Sequence, residues 1–469
     1  MFSLAQPFVY LLAYVAVLYI RPHQYVDALE GVPVLSALLG LAVVVWLARQ
    51  TKSFEASQHR ILLVLTVLMS FSVALTGWGG GAVAVWTTDF GPILLLFYMV
   101  ATTVDSLPKL RVIFLLLTVA AGIMALHGIN QNQNELGIGW TGAALVDGRI
   151  TYLGFLNDPN DLGMSLLMTL PMCLYLANRG GFLRRWTFRA IGLLILYGVF
   201  LTNSRGAILG LGAMLLAYGI GRFGLWRSLI IVPLMAAPLI ALAPSRIGEI
   251  SAEEDSAAGR VEAWYEGFQM LRAHPLFGVG KGLFTEHHYL TAHNSYMLAV
   301  AELGLVGYFV WLSNIVLTVA MLWTMVRPGG PLRTGAGPPA ASPSPAAPAV
   351  PEAPLQFGAP QLPAVEMAAP STSGADTGLV GEDSWDDCQG AARTLLYGMI
   401  AALVCAFFLS RSYAINLYLQ IAFVVGLHQL MRRKWPTVPP VLFRPNWGKL
   451  FAGSMVSVVG LWIVTRFLL

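Results

Sequence analysis

Residues 259–312 read GRVEAWYEGFQMLRAHPLFGVGKGLFTEHHYLTAHNSYMLAVAELGLVGYFVWL. A polar, glycine-punctuated segment carrying Arg260, Lys281 and His293 runs straight into an apolar stretch that begins at Ser295. Ionisable groups held at the edge of such a stretch are costly in lipid and usually mark a site. Within the polar part, Val261, Trp264, Tyr265, Phe268 and Leu271 recur at helical spacing, which predicts a short amphipathic helix over 257–273, capped by Asp255 or Ser256. Trp264 and Tyr265 suit the headgroup level, where a ring is half buried and half wet. Pro275 ends that helix, and Gly278, Gly280 and Gly282 supply a tight loop. The three glycines are no dinucleotide fingerprint, because no strand precedes them and no βαβ helix follows.

Outward from this stretch the chain is dominated by lipid-soluble helix. Hydrophobic residues make up 57% and charged residues 11% of the 469, which excludes a soluble globular domain. About twelve or thirteen apolar runs, from 5–20 to 450–467, predict an all-α polytopic membrane helix bundle. The three cysteines, Cys173, Cys388 and Cys405, have no CxxC spacing, so neither a zinc site nor a disulfide framework is expected. A net charge of +4 gives no reason to expect a nucleic-acid partner. The first apolar run lacks the basic flank and small-residue cleavage site of a secretory signal.

Charge places the loops. With the N-terminus inside, the inward loops hold nineteen of the 28 Lys and Arg residues, the usual bias for cytoplasmic segments. The nine left outside are Arg21, Arg149, Arg205, Arg246, Arg260, Arg272, Lys281, Arg411 and Arg466. That rule explains none of them. The same assignment puts residues 129–160, 202–206, 244–294 and 410–412 on one side, where Arg205, Arg260, His293 and Arg411 could converge. Residues 328–390 are rich in Pro, Ala, Gly and Ser and are expected to be a disordered inside linker. No internal repeat is visible, which counts against a transporter built from inverted halves.

Each candidate has two readings. His293 is either a polar residue beside a helix cap, with Asn294 and Ser295 equally able to cap, or a general base near neutral pH. Arg205, in the sequence NSRG, snorkels at a helix end or is held by a tight hairpin turn. Arg260 pairs with Glu253 or Glu262, or joins Arg205 around a phosphate, which planar guanidinium forks match bidentately. Asn157, Asp158 or Asn160 is expected to cap the helix that follows. Arg411 adds a further positive group. His287 and His288, with no zinc-ligand spacing, are expected to be solvated, and Glu302 to make a structural hydrogen bond.

Gly259-Arg260-x3-Trp264, HPLFGVGKG at 274–282, HNSY at 293–296 and AELGLVG at 301–307 together resemble the signature region of the O-antigen ligase and polymerase superfamily. NDPNDLG at 157–163 and NSRG at 203–206 resemble its upstream landmarks. The resemblance implies an integral-membrane, metal-independent glycosyltransferase without cofactor, multi-pass in the bacterial inner membrane, with its site in a periplasmic loop subdomain. Its donor would be a glycan on undecaprenyl pyrophosphate and its acceptor a glycan or lipid A core sugar, amid membrane lipids. Arg205 and Arg260 would hold the leaving pyrophosphate and His293 would take the acceptor proton, with Arg411, Lys281, Asn294 and Trp264 binding substrate. The expected division is membrane helices over 1–150, a catalytic region over 151–326 containing the loop 244–294, a linker over 327–393, and further membrane helices over 394–469. Ligase-like transfer is the favoured reading. The alternatives are an O-antigen or exopolysaccharide polymerase, a protein O-oligosaccharyltransferase, or, in another class, a polysaccharide or lipid transporter. A long linker and an extra terminal helix depart from the family pattern.

Overall fold

The computed structural model describes residues 6–242, 250–327 and 384–469, and the chain they form is an all-α polytopic helix bundle. In order the helices are α1 (Pro7–Ile20), α2 (Val34–Arg49), α3 (Ser57–Ala74), α4 (Gly79–Ala84), α5 (Gly91–Thr103), α6 (Leu107–Asn134), α7 (Pro159–Ala177) and α8 (Phe182–Leu201). After them come α9 (Arg205–Phe223), α10 (Leu225–Leu242), α11 (Ile250–Ala273), α12 (Phe284–His287), α13 (Ser295–Val326), α14 (Trp385–Ala406), α15 (Ile415–Lys434) and α16 (Trp447–Leu468). A bilayer core of about 30 Å needs about 20 helical residues. Among the described residues, seven helical segments are long and apolar enough to cross it. The twelve or thirteen apolar runs also include α1, α2 and part of α10, which are shorter apolar helices, and α7, α8 and α15, which carry Asp161, three arginines and a basic last turn.

Of the linker expected over 327–393, residues 328–383 lie outside the described residues, and α14 already begins at Trp385, inside the stretch assigned to it. The amphipathic helix starts at Ile250 rather than 257. Its ISAEED opening is rich in Ala and Glu, good helix formers that carry the helix past the anticipated cap.

The bundle has two dissimilar ends. At one, the loop after α1 meets the loop before α7, with Tyr25 Oη donating to Tyr152 Oη at 2.9 Å and Trp140 Nε1 to the His23 carbonyl at 3.1 Å. The α11–α13 loop joins the α14–α15 turn at the same end, where Thr291 Oγ1 donates to Ser410 Oγ at 2.9 Å. At the other end Asp387 receives Arg111 and Arg179, and Trp385 packs edge-on against Trp435.

The decisive local feature is a break inside α13. Gly304 adopts φ 63°, ψ −170°, so the apolar run from 295 is two helices and not the single one its composition suggests. In an unbroken helix the amides of Leu305 and Val306 would donate to the carbonyls of Ala301 and Glu302. Instead those amides donate to Pro275 at 2.9 Å and Leu276 at 3.2 Å, while the two carbonyls accept from Val279 and Gly280, each at 3.0 Å. Four backbone groups that lipid would leave unsatisfied are paired by the HPLFGVG segment. The approach is so close that a Cβ on Gly304 would strike the Leu276 backbone, and one on Gly278 (φ 70°) would strike Glu302.

Gly304→Ala is therefore expected to destabilise the fold by about 2 kcal/mol or more, through a left-handed alanine and a backbone clash. Gly453→Ala, in open space on α16, is the neutral control. Unfolding in detergent, followed by intrinsic fluorescence, compares the two; equal midpoints would refute the role given to the break.

Candidate active site

Arg205 sits at the first position of α9, after a turn in which Asn203 is left-handed (φ 46°) and Ser204 Oγ caps the helix by accepting from the Ala207 amide at 3.3 Å. A helix N-terminus carries positive partial charge, so a cation there is electrostatically disfavoured. An anion would be attracted by both. Arg149 braces this turn, donating from Nε to the Thr202 carbonyl at 2.9 Å and from its guanidinium to Asn160 Oδ1 at 2.7 Å. One of the nine unexplained cations thus has a structural task.

Arg260 lies half-buried on α11, near enough to Arg205 to feel its charge: burial first, and Arg205 second, hold its guanidinium below the usual arginine pKa. One turn on, Trp264 is buried rather than half wet. Its Nε1 donates to the Ala292 carbonyl at 2.8 Å and its ring packs edge-on against Phe407. Trp264 thereby fixes the residue preceding His293, a positioning task.

His293 is left-handed (φ 45°), a conformation uncommon outside glycine but least so for Asn, Asp and His. Asn294 follows as the cap of α13, its Oδ1 accepting from the Tyr296 and Met297 amides at 2.9 and 3.1 Å, and it is fully buried. Ser295 does not cap. It stitches the loop to the α14–α15 turn, donating to the Leu409 carbonyl at 2.5 Å, while its Oγ accepts from the Arg411 amide at 2.9 Å and its carbonyl from Ser412 Oγ at 2.6 Å. Burial, then Arg260, press the His293 pKa below 6.5; Asp158 opposes them and Arg411 adds to them. The neutral imidazole is the favoured form. Arg205, Arg260, His293 and Arg411, separate in sequence, share this one end of the bundle.

The remaining candidates are engaged. Arg411 is 45% exposed, but its fork is held by the buried carboxylate of Asp161, so it is a paired cation and not an additional free one. Asp158 caps α7 through the amides of Asn160 and Asp161. Lys281 is bound to Asp89 at 2.5 Å, on the other flank of a cavity of about 460 Å³ that Asp89, Phe155, Asp158, Asp161 and Arg411 line. His288 is not solvated: it bonds to the Leu290 backbone at 3.0 Å and stacks on Tyr289, while His287 stays exposed. Glu302 accepts from the Phe284 amide at 3.4 Å, the structural bond expected of it. Among the described residues, no three His, Cys, Asp or Glu side chains gather closely enough to hold a metal ion.

Two guanidiniums and a neutral imidazole beside a polar cavity, at the rim of a lipid-embedded bundle, suit transfer chemistry on an anionic lipid-borne group. Residues 190–312, from within α8 to within α13, match the family model described as O-antigen ligase. That match supports the O-antigen ligase superfamily over residues 190–312. Glycosyltransferase-type ligases and polymerases make up this family. No curated protein matches the chain. The ligase match holds Arg205, Arg260 and His293 and stops short of Arg411. Asp161 and Ser295 went unrecognised as partners of Arg411 because nothing periodic links residues so far apart in the chain.

The depressed His293 pKa is checked by its modification with diethylpyrocarbonate, which attacks neutral imidazole, followed by peptide mass spectrometry across pH. The midpoint is expected below 6.5. Arg260→Gln removes a charge that disfavours the imidazolium, so it should raise that midpoint; an unmoved midpoint would mean that Arg260 and His293 do not interact.

Proposed function

We propose that the chain is a metal-independent membrane glycosyltransferase that moves a glycan from undecaprenyl pyrophosphate to an acceptor hydroxyl at the periplasmic face of the bacterial inner membrane, as an O-antigen ligase does. The observation that carries this reading is the pairing of Arg260 with Arg205 beside a His293 whose proton affinity is lowered. In the step, an acceptor hydroxyl gives its proton to the neutral His293 imidazole as its oxygen bonds to the anomeric carbon. The bond from that carbon to the pyrophosphate oxygen breaks, and the electron pair leaves with the lipid pyrophosphate. The developing negative charge falls to Arg205 and Arg260, which stabilise it more in the transition state than in the ground state. The imidazolium then returns its proton to solvent or to the released pyrophosphate. The lipid pyrophosphate is already an activated leaving group. The cavity bordered by Asp158, Asp161 and Arg411 offers carboxylates, a guanidinium and the Phe155 ring, which suit the hydroxyls and apolar face of an acceptor sugar.

His293→Ala is expected to abolish transfer in a chain that still inserts, and Arg205→Ala or Arg260→Ala to lower kcat by about 100-fold or more. Normal surface glycan in cells carrying only the His293 variant would sink the proposed base. The acceptor is read from cells lacking the gene: unattached lipid-linked chains mean a ligase, and capped single units without long chains mean a polymerase.

A further inference from the structure

Two of the cations that the charge rule leaves outside, Arg272 and Arg466, take no part in the site described above. They nevertheless meet. Both line a groove of about 590 Å³ between the C-terminal ends of α11 and α16. Tyr265, Phe268 and Trp462 form its walls, Gln269 and Thr465 are its uncharged polar groups, and no carboxylate lines it. Each arginine is eased by the negative end of its own helix. That effect places each one singly and does not explain why two like charges share one groove.

Two other clusters of basic residues among those described are supplied with acids. The groove holding Arg179, Arg222 and Arg393 contains Asp387, which binds Arg179, and the cavity beside Arg411 contains Asp89, Asp158 and Asp161. Here the complementary charge has to come from outside the described chain. The surroundings say in what form. Trp462 is 49%, Ile463 55% and Phe467 88% exposed on the same helix end, an apolar surface that belongs in acyl chains rather than water. The Arg466 guanidinium carbon lies 6.0 Å from the Trp462 ring centroid, aromatic contact of the kind found at the headgroup level.

We propose that this groove binds the phosphate of an anionic membrane lipid in the leaflet at the site end of the bundle. Two guanidinium forks match phosphate oxygens, and the aromatic walls match the glycerol and upper acyl region. The groove lies about 18 Å along α11 from Arg260. A bound lipid therefore pins the far end of the helix that carries a site arginine, joining it to α16, which lies beyond the family match.

Native mass spectrometry of the full chain, released from nanodiscs containing phosphatidylglycerol or phosphatidylcholine, tests this. The wild type is expected to keep a phosphatidylglycerol adduct and not a phosphatidylcholine one. Arg272→Gln with Arg466→Gln should weaken retention by at least about tenfold, since each basic group near a membrane surface contributes about 1 kcal/mol. Arg272→Lys with Arg466→Lys should restore part of it. Equal retention of the two lipids, or an unchanged adduct in the glutamine variant, would overturn the proposal. So would displacement of the lipid by inorganic phosphate, which would make the ligand a free anion. Should the glutamine variant fail to fold, the comparison of the two lipids on the native chain decides the matter alone.

Discussion

The exchange of backbone hydrogen bonds at Gly304 is the constraint from which the site follows. A transmembrane helix cannot leave amides and carbonyls unpaired in lipid, so a break is tolerated only where another segment supplies partners. The 275–280 loop supplies all four. In doing so it fixes where α11 ends and where α13 begins, and with them the two residues that face each other across the loop, Arg260 and His293. Side-chain contacts repeat the constraint: Gly267 leaves just enough room for Met297 and Phe284, and Trp264 holds the Ala292 carbonyl. The glycine loop is thus a brace for a broken helix. In an isolated reading it resembles a phosphate cradle, which its backbone amides, already spent on α13, cannot be.

Charge is arranged around this brace with an asymmetry that matters for chemistry. On one flank of His293, burial first and the nearby Arg205 second depress the Arg260 pKa. On the other, Arg411 is already neutralised by Asp161, and Asp158 partly offsets the positive field at the imidazole. In the proposed reaction the first flank, with its two guanidiniums, faces the leaving group. The second has hydrogen-bonding geometry to offer a neutral sugar. In the proposed reaction donor and acceptor therefore approach His293 from different sides, with the imidazole between the attacking hydroxyl and the breaking bond.

Much of this was legible in the chain itself. Apolar runs announce the bundle, loop charge sorts the two ends, and the clustered motifs of 259–312 bring Arg260 and His293 into one segment. Gly304 was not legible, since a single glycine in an apolar stretch reads as a tolerated helix residue and its partner amides lie in a different motif. A length-and-hydropathy criterion singles out seven segments and passes over α7, α8 and α15, whose polar residues their neighbours cover. Arg411 read as a free cation for a similar reason: its partner Asp161 lies 250 residues away in the chain, and Asp158, one of the expected caps, does cap α7. Trp264 looked interfacial because amphipathic spacing cannot tell a ring facing lipid from one facing a loop.

Those misses share a cause that bears on how such a site arises. Motifs within one segment record local backbone requirements, and local requirements survive translation into sequence pattern. Pairings such as Arg411 with Asp161, or Ser295 with the 409–412 turn, link helices that meet only after the bundle closes. They decide which cations remain available to a substrate. In this chain the distinction is sharp: of the arginines at the site end, Arg149 holds a turn, Arg411 holds a carboxylate, and Arg260 stands against Arg205 with its guanidinium half-buried. Under the proposed function, a second positive group near Arg260 favours a doubly charged phosphate group over a neutral ligand. In the proposed reaction, affinity for the lipid pyrophosphate and stabilisation of its departure would then both draw on Arg205 and Arg260, the latter placed by a helix break more than forty residues further along the chain.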